Sequence, residues 1–156
     1  MVSIRSATLN DVPLLMTFFH EFAAYEQLST LITEEQLLQD GFGSSPKFRV
    51  LIAETDGIPA GYALFFDCYS SLQGHGIFLE DLFVRPPFRG KRVGRVLLVH
   101  VARITEETNS FGIMFNVLDW NARAIEFYRS IGATFLDDWK TVCLKQKAVH
   151  DLASEE

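Results

Sequence analysis

The sequence predicts one α/β domain built on a central, mixed and mostly antiparallel sheet with helices on its faces. Three observations carry this. The runs "KFRVLIAE" and "AGYALFFDCY" are rich in β-formers and are separated by "TDGIP", whose Asp56-Gly57 pair marks a tight turn, so they make an antiparallel hairpin. "GIFLEDLFV", "VGRVLLVHVARITEETN" and "GIMFNVL" then read as strand, helix and strand, a unit that closes right-handed with its strands parallel. The chain has 156 residues and no internal repeat, linker or low-complexity segment. It therefore falls within the span of about 100–200 residues usual for one domain.

The elements follow in order. "SIRSA" is a short first strand. Thr8 and Asp11 stand at capping-box spacing before Val12, Leu15, Phe18, Phe19 and Phe22, whose helical recurrence predicts a first helix to about Tyr25. In "TEEQLLQDGFG", Thr33 caps, Glu34 and Glu35 suit the positive helix end, and Gly41 is expected to stop a second, shorter helix. After the hairpin and the third central strand, Val93, Leu97, Val101 and Ile104 form the apolar stripe of the longest helix, which leads to "GIMFNVL" as the fourth. "NARAIEFYRSIG" is the next helix, closed by Gly132, and "ATFLDDWKTVCLKQK" is expected to supply a last pair of short strands. The domain is placed over residues 1–147, with a polar tail at 148–156 expected to fray.

Composition narrows the function. No apolar run approaches the roughly 18 residues of a membrane span, and "MVSIRSATLND" lacks a secretion-signal pattern, so no membrane partner and a cytoplasmic address are expected. Cys68 and Cys143 are expected to stay reduced, and the four scattered histidines give no metal spacing, so no metal is expected. A net charge of −6 argues against a nucleic-acid binder. It suits a cationic small substrate, and equally a protein kept soluble by charge. Gly-x-Ser-x-Gly and Walker-type loops are missing.

The joint between the third strand and the longest helix is crowded with Arg89, Gly90, Lys91, Arg92, Val93, Gly94 and Arg95. A helix start presents unpartnered N–H groups and a partial positive charge, and glycines let a ligand approach, so this joint can hold a phosphate. A plain turn with solvated basic residues is the other reading. The Rossmann Gly-x-Gly-x-x-Gly is absent.

The joint and the order of elements resemble the GNAT superfamily of acetyl-CoA-dependent N-acetyltransferases. "AAYE", "LLQDGFG", "GYALFF", "FLEDLFVRPPFRG", "DWNARAIEFYRSIGA" and the late Trp139 fall in the order of its spermidine/spermine (diamine) and thialysine N-acetyltransferase branch. The resemblance implies a GNAT-like fold, acetyl-CoA as cosubstrate without a metal, a small amine substrate, and a homodimer. It assigns the joint, Arg/Gln-x-x-Gly-x-Gly/Ala in the family, to the coenzyme pyrophosphate, bound through loop amides. Leu82, Phe83 and Val84 would offer a main-chain N–H to the oxyanion. Asn121 would contact the pantetheine arm and Tyr128 the coenzyme sulfur, with Ala124 on their face. One position departs from the pattern: Arg92 replaces the family's first glycine. If that site needs positive φ, the cost is of order 1 kcal/mol.

Acetyl transfer needs a neutral amine, a held thioester, a stabilised oxyanion and a proton for the leaving thiolate. Strand alternation points Glu80 and Asp81 to opposite faces. By resemblance Glu80 aids amine deprotonation through water and Asp81 gives electrostatic support; from residues alone a solvated carboxylate pair is an equal reading. Asn121, Ala124 and Tyr128 share a helix face by spacing, and a phenol titrating near about 10 can protonate a thiolate whose acid titrates near about 8.5. Core packing is the alternative for Tyr128. By the same resemblance the amine runs past Tyr25, Glu26 and "YSSLQGHG". Polyamine enzymes of the branch tend to carry an acid and a tryptophan where Ser70 and Leu72 stand, so a short diamine or lysine-like amine is expected over spermine. The competing functions are an acyl-CoA-binding module without turnover and a protein or peptide N-acetyltransferase.

Overall fold

The computed structural model describes residues 1–155 and divides into two compact units, the first Met1–Asn116 and the second from Val117 onward. The first unit holds β1 (Val2–Ser6), α1 (Val12–Tyr25), α2 (Glu34–Phe42), β2 (Arg49–Thr55), β3 (Ile58–Ser70), β4 (Gly74–Val84), α3 (Val93–Glu107) and β5 (Ile113–Met114). Its sheet runs β1-β2-β3-β4-β5, antiparallel until the parallel β4–β5 pair. The predicted mixed, mostly antiparallel sheet is the observed one. In the β2–β3 hairpin both Asp56 (φ 52°) and Gly57 (φ 77°) are left-handed, the turn whose twist matches antiparallel strands.

The sheet is covered on both faces. Val12, Leu15, Phe18 and Phe19 of α1, with Leu37 of α2, pack on Val50, Ile52, Tyr62, Leu64 and Phe83. Leu51, Ala53, Ala63, Phe65, Ile77 and Leu79 are also buried but lie outside that cluster, on the face that α3 meets with Val93, Leu97 and Val101. Two ion pairs fix how α1 lies. Asp11 accepts both Arg5 Nη1 and Nη2 at 2.8 Å and the Thr8 N–H at 2.8 Å, and the Arg5 hydrogen bonds hold its carboxyl down at about 2 although burial opposes them. Further along the helix, Glu21 accepts Arg85 Nε at 2.7 Å and Nη2 at 2.9 Å, while the Arg85 guanidinium lies 4.5 Å from the Phe18 ring centre. The end of β4 is thereby tied to α1.

Some elements differ from the sequence reading. Helix α2 passes through Gly41 and stops at Gly43, because a Cβ at Gly41 would lie 2.7 Å from the Phe48 ring: the glycine makes room rather than ending the helix. Strand β5 is two residues long, shorter than "GIMFNVL". In the second unit, α4 spans Ala122–Ser130 and α5 spans Gln146–Ala153. Among the described residues, 133–145 form no strand, so the expected last strand pair is absent. Leu136, Trp139, Val142 and Leu144 are exposed there, and β-propensity without a ladder partner does not make a strand. Both cysteines are free, and no helix among the described residues is long and apolar enough to cross a membrane.

Candidate active site

Strand β4 begins the site with an irregularity. Phe65 pairs with Leu79 and Leu64 with Asp81, so Glu80 is an extra residue without a partner on β3. A bulge of this kind bends its strand and re-aims the side chains around it. Leu79 goes to the α3 face, whereas Asp81 joins Leu64 and Phe83 on the α1 face. The bulge thus interrupts strict alternation between Leu79 and Asp81. Standing in the bulge, Glu80 acts by its charge on Glu26, Tyr62 and Asp81.

Glu26 caps the C-terminus of α1. Burial and then the Glu80 charge push its carboxyl upward. Burial, followed by the charges of Glu80 and Glu26, raises Asp81 to about 7, against the opposing hydrogen bond from Tyr62. Tyr62 Oη donates that bond to Asp81 Oδ2 at 2.8 Å. Tyr62 was not singled out by the sequence; the available signal was a phenol inside the apolar run "GYALFF", where a buried hydroxyl needs a partner.

Past the bulge the sheet opens. β5 pairs with β4 only at Ile77–Ile113 and Phe78–Met114, so Leu82, Phe83 and Val84 have no strand partner on that side. At the end of β4, Arg89 Nε donates to the Val84 carbonyl at 2.9 Å and its guanidinium lies 4.4 Å from the Tyr25 ring centre. Arg89 thus braces the joint, while Lys91, Arg92 and Arg95 are exposed. The first bond inside α3 runs from Val96 N to Arg92 O, leaving the N–H groups of Val93, Gly94 and Arg95 without partners in the helix. Gly90 has φ 78° and open space at its missing Cβ, and Arg92 itself is left-handed, at φ 63° and ψ 7°. The joint therefore presents main-chain donors as an anion cradle.

In the second unit, the Asn121 side chain caps α4 by accepting the Ala124 N–H at 3.2 Å. Asn121 and Tyr128 are both buried and share the helix face anticipated from their spacing. Gly132, with φ 88°, closes the helix.

The Acetyltransferase (GNAT) family profile matches residues 15–133, spanning the bulged strand, the joint and α4. The chain belongs to the GNAT family. A thialysine N-epsilon-acetyltransferase of Bos taurus is 34% identical over 99% of this chain and 98% of its own. A spermidine/spermine N(1)-acetyltransferase-like protein 1 of Homo sapiens is 31% identical over 98% of this chain and 24% of its own. Among solved structures, an integron cassette protein from the mobile metagenome of V. cholerae has a TM-score of 0.82 at 23% identity, covering 99% of this chain and 98% of that one. An aminoglycoside N-acetyltransferase in complex with CoA has a TM-score of 0.71 at 19% identity, covering 94% and 95%. This GNAT chain is an acetyl-CoA-dependent N-acetyltransferase.

Within the GNAT joint, the left-handed Arg92 carries the conformational cost anticipated for a side chain at that position. Arg92→Gly is expected to raise stability by about 0.5–1 kcal/mol, the left-handed strain relieved less the extra entropy of an unfolded glycine. Urea unfolding of the variant beside Arg92→Ala, which loses the charge but keeps the backbone demand, separates the two effects. A glycine variant no more stable than the alanine one would remove strain from the account. Among the described residues, no group of His, Cys, Asp or Glu is arranged to hold a metal ion.

Proposed function

We propose that the chain acetylates a small primary amine, thialysine-like or a short diamine, by direct transfer from acetyl-CoA. The observation that carries this is the carboxylate group made by Glu26 at the end of α1 with Glu80 and Asp81 at the bulge of the strand that leads into the anion cradle. A primary amine titrates near about 10.4 and arrives as a cation. Glu26, Glu80 and Asp81 attract it, Tyr25 flanks its path, and Glu80 takes its proton through a water. The neutral nitrogen attacks the thioester carbon; the carbonyl oxygen gathers charge against a main-chain N–H of Leu82, Phe83 or Val84, the nitrogen releases its second proton to solvent, and the carbon–sulfur bond breaks. Tyr128 then gives its proton to the thiolate. Arg89, Gly90, Lys91, Arg92, Val93, Gly94 and Arg95 hold the pyrophosphate, with Asn121 and Ala124 along the pantetheine arm.

The amine preference rests on the β3–β4 turn. Ser70 Oγ accepts the N–H groups of Leu72 and Gln73, each at 3.2 Å, and Leu72 is exposed, so the turn offers a long polyamine neither an acid nor a tryptophan. The bovine relative's name points the same way. Coenzyme A release across thialysine, lysine, putrescine, spermidine, spermine and a peptide amine tests this. Higher kcat/KM for thialysine or a short diamine than for spermine is expected, and the reverse order overturns the preference. Tight acetyl-CoA binding with silence across the panel would favour a binding module. A cytoplasmic homodimer belongs to the same reading, and light scattering giving a monomer at micromolar concentration would remove the dimer.

A further inference from the structure

We propose that Tyr62 is a positioning residue for amine acetylation: its buried hydroxyl fixes the Asp81 carboxylate beside Glu80 and Glu26, and so sets how the cationic amine is received. The inference rests on the amine-acetylating reading above.

The argument begins with what can move. The Tyr62 side chain is fully buried. Its ring is hemmed by Phe18 at 5.3 Å, Phe19 at 5.4 Å, Phe83 at 6.1 Å and Phe22 at 6.4 Å between ring centres. A phenolic oxygen lies on the ring axis, so rotating the ring about that axis does not displace it, and an enclosed ring cannot swing aside. Its hydroxyl donates to Asp81 Oδ2, at 2.8 Å. Among the described residues the other two carboxylates have no such anchor: Glu80 is exposed in the bulge and Glu26 stands where α1 ends. Asp81 is therefore the member of the group with a fixed place, and the place comes from Tyr62.

The bulge makes this contact possible. Were Glu80 part of a regular ladder rather than a bulge, Asp81 would share the α3 face of Leu79 and the phenol would be buried without it. Burial and then the Asp81 charge raise the Tyr62 phenol well above its ordinary range, so it remains a donor at any pH at which the enzyme works. The groups acting on Asp81 are Tyr62 from β3, Glu80 from β4 and Glu26 from α1. Arg89, the cation at the joint after β4, is engaged with the Val84 carbonyl and the Tyr25 ring. Of these groups Tyr62 alone favours the ionised form of Asp81, the form that attracts an ammonium.

Tyr62→Phe keeps the ring and deletes the donor. The expected result is a fall of about tenfold or more in kcat/KM for the amine, with KM for acetyl-CoA unchanged. The acid limb of the kcat/KM profile should move to higher pH, as should the Asp81 carboxyl titration followed by carbon-13 NMR. Phe19→Leu disturbs the same aromatic cluster without touching the hydroxyl, and should lower stability while leaving the acid limb in place. Should Tyr62→Phe fail to fold, 3-fluorotyrosine at position 62, a stronger donor of similar shape, should move the limb to lower pH. Active wild type with an unmoved limb in these variants overturns the role of Tyr62 alone. A wild type that turns over no amine overturns the functional reading and this inference together, and the NMR titration tells that case apart by reporting the Tyr62–Asp81 coupling independently of turnover.

Discussion

Phenylalanine at position 128 is expected to lower kcat by about 10²–10⁴-fold, the usual worth of a general acid, while leaving acetyl-CoA binding nearly intact. Tyr128 is buried on α4 with its ring 5.4 Å from that of Phe127, so removing one oxygen leaves the packing in place. Proton transfer from a phenol near about 10 to a thiolate whose acid is near about 8.5 is uphill by about 2 kcal/mol. That is small beside the cost of expelling a bare thiolate, and the phenolate recovers its proton from water. A tyrosine acid also sets the alkaline limb of the kcat profile, which should disappear in the variant. Pre-steady-state kinetics separates this from slow product release. A kcat within twofold of wild type, with the alkaline limb retained, would assign Tyr128 to packing alone.

Asparagine at position 81 is expected to make the protein more stable at pH 8 and to flatten its stability between pH 5 and 8. Asp81 titrates at about 7 in the folded chain against an ordinary 3.8. Between those values the folded protein holds a proton that the unfolded chain has already released, so folding is progressively disfavoured as pH rises through the window. The stabilisation is complete below the lower value and gone above the upper one. The difference corresponds to about 4 kcal/mol as a ceiling, reduced by solvent reaching the half-buried carboxyl. Urea midpoints of wild type and Asp81→Asn at several pH values measure it. Parallel curves would mean that the folded state leaves Asp81 with an ordinary affinity for its proton. The same substitution should weaken amine turnover, so stability and activity move in opposite directions.

The elements with local chemistry were readable before the fold was seen. Thr33 caps α2 by accepting the Gln36 N–H, Asp56-Gly57 makes the hairpin, and Gly132 closes α4, each from a few neighbouring residues. The bulge was not readable, because "FLEDLFV" sets two acids side by side between apolar residues without saying which one leaves the ladder, and the extra residue exists only relative to the register of β3. The face of Asp81 and its contact with Tyr62 were hidden with it. The short β5 has the same kind of cause: "GIMFNVL" has strand propensity, but the bend at Glu80 comes just after the last pair, Phe78–Met114. At the joint the sequence fared better, since Arg92 in a glycine position already implied the left-handed backbone that the structure contains.

The parting of β4 from β5 also bears on how the protein avoids its own copies. Main-chain groups without a ladder partner are templates on which another chain can add a strand, and natural sheets guard such stretches with bulges and with charges set into the edge. Glu80 in the bulge and Asp81 beside it supply both safeguards at the place where pairing stops. The two carboxylates proposed to draw in an ammonium are thus also gatekeepers against aggregation, so under that proposal solubility and chemistry favour the same acidic pair.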